Sequence, residues 1–182
     1  MITIEDQLPA DRVAIETLLN TAFGPDRLAK TSYGYRQGIP PVAGLSLVAR
    51  DGDRLIGTIR YWPVTVGAAA ALLLGPIAVA PARRGEGIAA RLINDSLARA
   101  KAAGHGLVLL VGDETLYRRH GFGRADRHGI TMPGEAPRRL LLRALVDSAL
   151  IGVRGPVGAW RGLRGVACGS VVTGLGAAEA AV

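Results

Sequence analysis

Between Tyr61 and Ala82 the chain runs for 22 residues without a charge, a length that on its own would reach across a bilayer, which takes roughly 20 apolar residues. Three prolines (Pro63, Pro76 and Pro81) and two glycines (Gly67 and Gly75) interrupt it. A spanning helix would lose backbone hydrogen bonds at those positions. The other way to take such a stretch out of water is to bury it as strands. We therefore read a strand from Leu55 to Val66, a small-residue turn, and a strand from Leu72 to Val79, so that a sheet lies in the middle of the chain.

The flanking segments supply the rest of a layered fold. Ile2 and Ile4 alternate with polar neighbours, as in a short strand. Pro9 and Asp11 open a helix whose apolar positions Ile15, Leu18, Leu19, Ala22 and Phe23 share a face, and Gly24-Pro25 closes it. Residues 26–41 read as a second short helix or a mobile loop. Leu45 to Arg50 is a strand, with Asp51-Gly52-Asp53 as the turn into the next. Ile88, Leu92, Ile93, Leu97 and Ala100 mark an amphipathic helix stopped at Gly104. The continuous apolar run Leu107 to Val111 suggests a strand buried on both faces. A short helix from Asp113 to Arg119, closed by Gly121, and a strand from Arg139 to Val146 follow. This order predicts one mixed α/β (α+β) domain over residues 1–150 with a single crossover helix. Glycines puncture the chain after Asp147, so residues 151–182 read as a Gly/Ala-rich extension. Its early part would complete the sheet, and its last residues, about a dozen, would be loosely held.

Composition narrows the partners. The chain has 182 residues, 49% hydrophobic and 20% charged, enough apolar material for one domain core. Its net charge of +7 favours anionic partners. Only Lys30 and Lys101 are lysines, and a GC-rich coding sequence alone would account for much of the arginine bias. An aromatic content of 4% and the lack of a reading motif argue against nucleic acid. A single cysteine, Cys168, cannot form an internal disulfide, and no His/Cys cluster has metal spacing. The acidic, mixed N-terminus is unlike a signal peptide. A cytoplasmic protein that binds neither metal nor membrane is the expectation.

The segment from Pro81 to Ala90, Pro-Ala-Arg-Arg-Gly-Glu-Gly-Ile-Ala-Ala, joins a buried strand to the amphipathic helix. Glycines there let backbone N–H groups approach a ligand, and the helix N-terminus adds unpaired donors and a positive dipole end. Arg83 and Arg84 lie beside it. Physically this is a phosphate-binding turn. No Gly-Lys-Ser/Thr exists, which excludes a Walker loop. Gly85 to Ala90 does fit the dinucleotide fingerprint G-x-G-x-x-A, with Asp113 after the next strand, so a dinucleotide-binding oxidoreductase is one reading.

A second reading comes from a resemblance. Leu74 to Ala89 is similar to the acetyl-CoA-binding motif of the GCN5-related N-acetyltransferase (GNAT) family, whose pattern Gln/Arg-x-x-Gly-x-Gly/Ala is met by Arg84, Gly87 and Ala89. The family also places a tyrosine on a short helix before Gly-Phe, as in Leu116-Tyr-Arg-Arg-His-Gly-Phe122. The Phe23-Gly24 helix end and the Leu107 to Asp113 run resemble the YhbS-like bacterial subgroup. The resemblance implies a sheet with a splayed strand pair and flanking helices, and acetyl-CoA as co-substrate. It implies transfer of the acetyl group to a primary amine of a small molecule or protein. Ile77, Ala78 and Val79 would pair with the pantetheine arm, and the N–H groups of Arg84, Gly85, Glu86, Gly87, Ile88 and Ala89 would hold the pyrophosphate. A backbone N–H near Val79 would polarise the acetyl carbonyl, and Tyr117 would protonate the leaving thiolate. The acceptor would enter beside Phe23, Tyr33, Tyr35 and Trp62.

The sequence departs from the family at three points. Alanine stands at position 89, where glycine is common, and Leu116 and His120 replace aromatics of the subgroup. No acidic residue lies on the strand Leu72 to Val79, where some members keep a general base. Asp113, Glu114 and His120 are the candidates elsewhere, although each also suits a helix-capping role. A non-catalytic acyl-CoA-binding protein is the remaining alternative, and the Gly/Ala-rich tail admits a homodimer.

Overall fold

The computed structural model describes residues 1–161. Thirteen of the described elements form the frame: β1 (Ile2–Asp6), α1 (Arg12–Phe23), α2 (Thr31–Gly34), β2 (Leu47–Asp51), β3 (Arg54–Val66), β4 (Ala69–Val79), α3 (Ile88–Ala102), β5 (Leu107–Val111), α4 (Glu114–Tyr117), β6 (Gly123–Arg124), β7 (Ile130–Thr131), β8 (Leu140–Ala144) and β9 (Gly155–Ala159). The sheet order is β1-β2-β3-β4-β5-β8-β6, with β9 alongside β3 and β7. The uncharged run is the β3–β4 hairpin, turning at Gly67-Ala68. Its second strand starts at Ala69, earlier than the Leu72 that apolarity suggests, because Ala69 to Ala71 pair in register with Val64 to Val66. Among the described residues no helix is long and apolar enough to cross a membrane.

Strand alternation assigns the two faces of the sheet. Gly57, Ile59 and Tyr61 face α3, whose Ile88, Leu92, Ile93 and Leu97 fill that core. A Cβ at Gly57 would lie 3.2 Å from Ile88 Cγ2 and 3.1 Å from Leu92 Cδ1, so the absent side chain lets α3 sit directly on β3. The buried Tyr61 hydroxyl donates to Ser96 Oγ at 2.7 Å, and Ser96 donates in turn to the Ile93 carbonyl. On the opposite face α1 packs Ile15, Leu18 and Leu19 over Val48 and Ala78. Farther along that face, Val64, Val66, Leu73, Leu107 and Leu109 form a third cluster. Val108 and Leu110 join the α3 side, so β5 is buried on both faces, as its apolar run predicts.

The chain stays in the sheet beyond residue 150. Val157 to Ala159 pair antiparallel with Val66 to Val64, and Gly155 and Pro156 pair with β7. Residues 162–182, with the loosely held tail and Cys168, lie outside the described residues.

The dinucleotide-binding reading does not survive the topology. It requires a parallel sheet, whereas β1 to β4 and the β5–β8 pair are antiparallel and the crossover through α3 creates one parallel pair, β4 with β5.

Candidate active site

β4 and β5 pair only at Leu72–Val108 and Leu73–Leu109. Just beyond, β4 carries one residue more than β3: Gly75 and Pro76 stand opposite Arg60, between the pairs Leu74–Tyr61 and Ile77–Ile59. A bulge of this kind bends the strand that holds it. β4 then continues to Val79 while β5 ends at Val111, and a wedge opens between them. Ala80 N–H donates to the Ile56 carbonyl at 2.8 Å. Successive peptide groups point to opposite edges of a strand, so Ala78 also bonds towards β3. The N–H and C=O groups of Ile77 and Val79 then face the wedge. Ala78 contributes a side chain buried beneath α1.

The wedge ends in the glycine turn. Gly85 and Gly87 have φ of 88° and 75°, conformations that side-chain-bearing residues rarely adopt. A Cβ built at either would meet nothing within 4 Å, so the space above the turn is open. The Arg84 N–H, expected among the pyrophosphate donors, is instead spent on the Pro81 carbonyl at 3.3 Å. By contrast, no N–H from Gly85 to Ala90 finds an acceptor among the described residues, and the first bond into α3 runs from Arg91 N–H to the Gly87 carbonyl at 3.0 Å. A row of free donors at a helix N-terminus suits a pyrophosphate. The Glu86 carboxylate is paired with Arg83 Nε at 2.7 Å, so its backbone is what this residue offers to the turn. Arg83 also holds Asp51 at 2.8 Å, and each carboxyl is kept below its usual range by that guanidinium. Arg83 is thus taken up within the fold, and Arg84 and Arg119 are the other cations lining the turn.

Three recesses run into one another here. The turn recess, about 230 Å³, shares Val79, Arg84, Ala89 and Arg119 with a middle recess of about 310 Å³. The middle recess shares Phe23, Ile77 and Tyr117 with an end cavity of about 200 Å³. Tyr117 therefore stands at the junction. Its ring meets Phe122 edge-on, 6.1 Å between centroids. Burial raises its hydroxyl above the ordinary phenol value, so the proton is retained at neutral pH.

The three base candidates separate. Asp113 caps α4, accepting from the Thr115 amide at 2.8 Å and the Thr115 hydroxyl at 2.7 Å, which holds its carboxyl low. Asp113 and Glu114 line a different recess, with Arg124, Arg138 and Arg139. His120 lines the middle recess, but Nδ1 lies 3.0 Å from Asn94 Oδ1 and Nε2 accepts from Arg119 Nε at 3.3 Å. Burial and the nearby Arg119 and Arg143 keep it neutral. Among the described residues lining the groove there is no carboxylate. No group of three or more His, Cys, Asp or Glu among them is placed to hold a metal.

Of the four residues expected beside the acceptor, Phe23 and Tyr33 line the end cavity. Tyr35 turns away: its hydroxyl donates to the Val157 carbonyl at 3.3 Å and its ring packs on the third cluster. Trp62 donates from Nε1 to the Ile39 carbonyl at 3.0 Å and stacks on Arg36. It supports the wall from behind. Sequence reasoning missed Arg27, Lys30 and Arg36 in this cavity and Arg119 in the other recesses. The only hint was a cluster of cations in an aperiodic stretch.

Known proteins share this fold. The family pattern for an acetyltransferase (GNAT) domain matches residues 43–124. YhbS of Escherichia coli (strain K12), described as an uncharacterised N-acetyltransferase, is 33% identical over 159 residues, 85% of this chain and 93% of its own. The chain belongs to the GNAT family of acetyltransferases, and its fold is the GNAT fold. The crystal structure of E. coli YhbS in complex with CoA matches with a TM-score of 0.75 at 32% identity, covering 86% of this chain and 88% of that one. A GNAT family acetyltransferase from Brucella melitensis in complex with acetyl-CoA matches with a TM-score of 0.67 at 28% identity, covering 88% and 97%.

Proposed function

We propose that this acyltransferase moves an acetyl group from acetyl-CoA to a primary amine by direct attack within a ternary complex. The observation that carries the reading is the continuous groove, with free N–H donors at one end, a cavity at the other and Tyr117 between them. Acetyl-CoA supplies an activated thioester. The Gly85 to Ala90 amides and Arg84 hold its pyrophosphate, while the backbone of Ile77 and Val79 pairs with the pantetheine arm. The Val79 N–H stabilises negative charge on the acetyl oxygen. The Tyr117 hydroxyl gives its proton to the departing sulfur.

The cations around the end cavity that no carboxylate pairs among the described residues, Lys30 and Arg36, lower the pKa of an amine bound beside them. An acceptor that arrives neutral needs no carboxylate base, consistent with the groove's lining.

The test is release of CoA thiol from acetyl-CoA against a panel of amines, alongside thermal unfolding. Acetyl-CoA at millimolar concentration raises Tm, and Tyr117→Phe lowers kcat about 10²-fold or more while that Tm shift persists. Wild-type turnover in the Phe variant would remove Tyr117 from the mechanism. A Tm shift with no thiol release for any amine would leave an acyl-CoA-binding protein, and no shift would contradict the reading altogether.

A further inference from the structure

The end cavity is lined by Arg27, Lys30 and Arg36 together with Ser32 and Tyr33, and by no carboxylate among the described residues. Arg27 is 3% exposed; its Nη2 meets Glu16 at 2.5 Å, and its Nε is buried without a partner. Glu16 also serves Arg60, 3.4 Å away. Arg36 has no ion-pair partner among the described residues. Its guanidinium lies between the rings of Tyr33 and Trp62, 4.1 and 4.9 Å from their centroids, and its Nε and Nη1 are buried and unpaired. Its Nη2 reaches the β4 bulge, 3.5 Å from where a Gly75 Cβ would stand. Two stacked rings thus fix a guanidinium at the acceptor end of the groove with no carboxylate opposite its charge among the described residues.

Such a group is pre-organised for an oxyanion, since a planar, immobilised fork loses little freedom on binding. Resting on the acetyltransferase reading, we propose that the acceptor is a small amine that also carries a compact oxyanion, a carboxylate or a phosphonate, and that Arg36, backed by Arg27 and Lys30, holds that oxyanion. The anion orients the amine towards the Tyr117 junction. There a nitrogen–acetyl carbon bond forms and the carbon–sulfur bond breaks. One proton leaves the nitrogen for solvent and one is taken up by the sulfur, giving an N-acetylated acid and CoA. Neutral amines of the same length lose that anchor.

The test pairs each acid with its uncharged counterpart: α- and ω-amino acids against their amides, and 2-aminoethylphosphonate against ethanolamine. Two readouts are used, thiol release with acetyl-CoA and thermal shift in the presence of CoA. The acids are expected to exceed their counterparts by about tenfold or more in kcat/KM or in apparent affinity; which acid wins tells carboxylate from phosphonate. Arg36→Gln is expected to collapse that ratio towards one, and Arg36→Lys to restore part of it. The persisting acetyl-CoA shift shows that each variant is folded. A purely structural Arg36, braced by two rings, would lower Tm and leave the ratio intact. Equal response to acids and amides, or discrimination that survives in Arg36→Gln, overturns the proposal. Failure of the wild type to respond to acetyl-CoA would instead contradict the acetyltransferase reading beneath it.

Discussion

A Cβ on Gly112 would stand 2.5 Å from Tyr117 Cε2 and 3.0 Å from both Tyr117 Cδ2 and Leu110 Cδ1, so glycine at the end of β5 is what lets the tyrosine ring lie at the groove's junction. Gly112→Ala is expected to displace that ring, costing about 1–3 kcal/mol of stability as overpacking does and lowering kcat in the same direction as Tyr117→Phe. Thermal unfolding and thiol release measure the two effects, and a variant of full activity would show that the ring's place is not critical. Histidines give a second residue-scale prediction. Burial lowers the pKa of His105, and burial with Arg119 and Arg143 lowers that of His120, both from an ordinary 6.5. Below 6.5 the unfolded chain therefore binds more protons than the folded one, and acidification favours unfolding. Tm should fall between about pH 7 and about pH 5, and His120→Gln should flatten that slope. A Tm unchanged across the range would contradict the assignment.

Among the elements, α3 matters most, because its N-terminus presents the turn. Gly57 sets its seat on β3, and the Tyr61–Ser96 bond fixes its rotation. Gly57→Val is expected to lift that end of the helix, lowering Tm and weakening acetyl-CoA binding together. Glu86→Ala should change affinity by no more than about threefold, since an exposed pair like Arg83–Glu86 is worth little and Glu86 contributes its backbone. Calorimetric titration with acetyl-CoA separates the two; a Glu86→Ala variant that loses binding would assign the side chain a role the geometry does not give it. This element was legible in the sequence because its signals are local: Ile88, Leu92, Ile93 and Leu97 recur at helical spacing, and the glycines that must take positive φ sit next to it. The placement of Tyr35 and Trp62 was not legible. Tyr35 is fixed by the Val157 carbonyl, 122 positions away, and Trp62 by Arg36 and Ile39 in a stretch without periodicity. Long-range contacts decide which way those rings face.

For the molecule as a whole, the charge reading changes most. Residues 83–127 hold nine basic and five acidic side chains, a net of +4 out of +7, which marks the turn's neighbourhood without saying which cations are available. The fold decides that. Arg83, Arg99 and Arg124 are taken up by Asp51 and Glu86, Asp6 and Asp126 respectively. Arg84 and Arg119 line the turn, while Arg36 faces the opposite end of the groove. The mostly antiparallel sheet, with parallel pairs at β4–β5 and β7–β9, was read from the sequence only as mixed, because apolar runs do not specify strand direction. The early part of the Gly/Ala-rich extension completes the sheet as expected, and pairing with β3 and β7 holds β9 there despite the glycine and proline in Gly155 to Ala159. Backbone hydrogen exchange with and without acetyl-CoA tests the central claim most directly. The account predicts slowed exchange at Ile77, Val79 and the amides from Gly85 to Ala90, with Glu114 and Thr115, in their separate recess, unaffected. Unchanged exchange along Gly85 to Ala90 at saturating acetyl-CoA would contradict it.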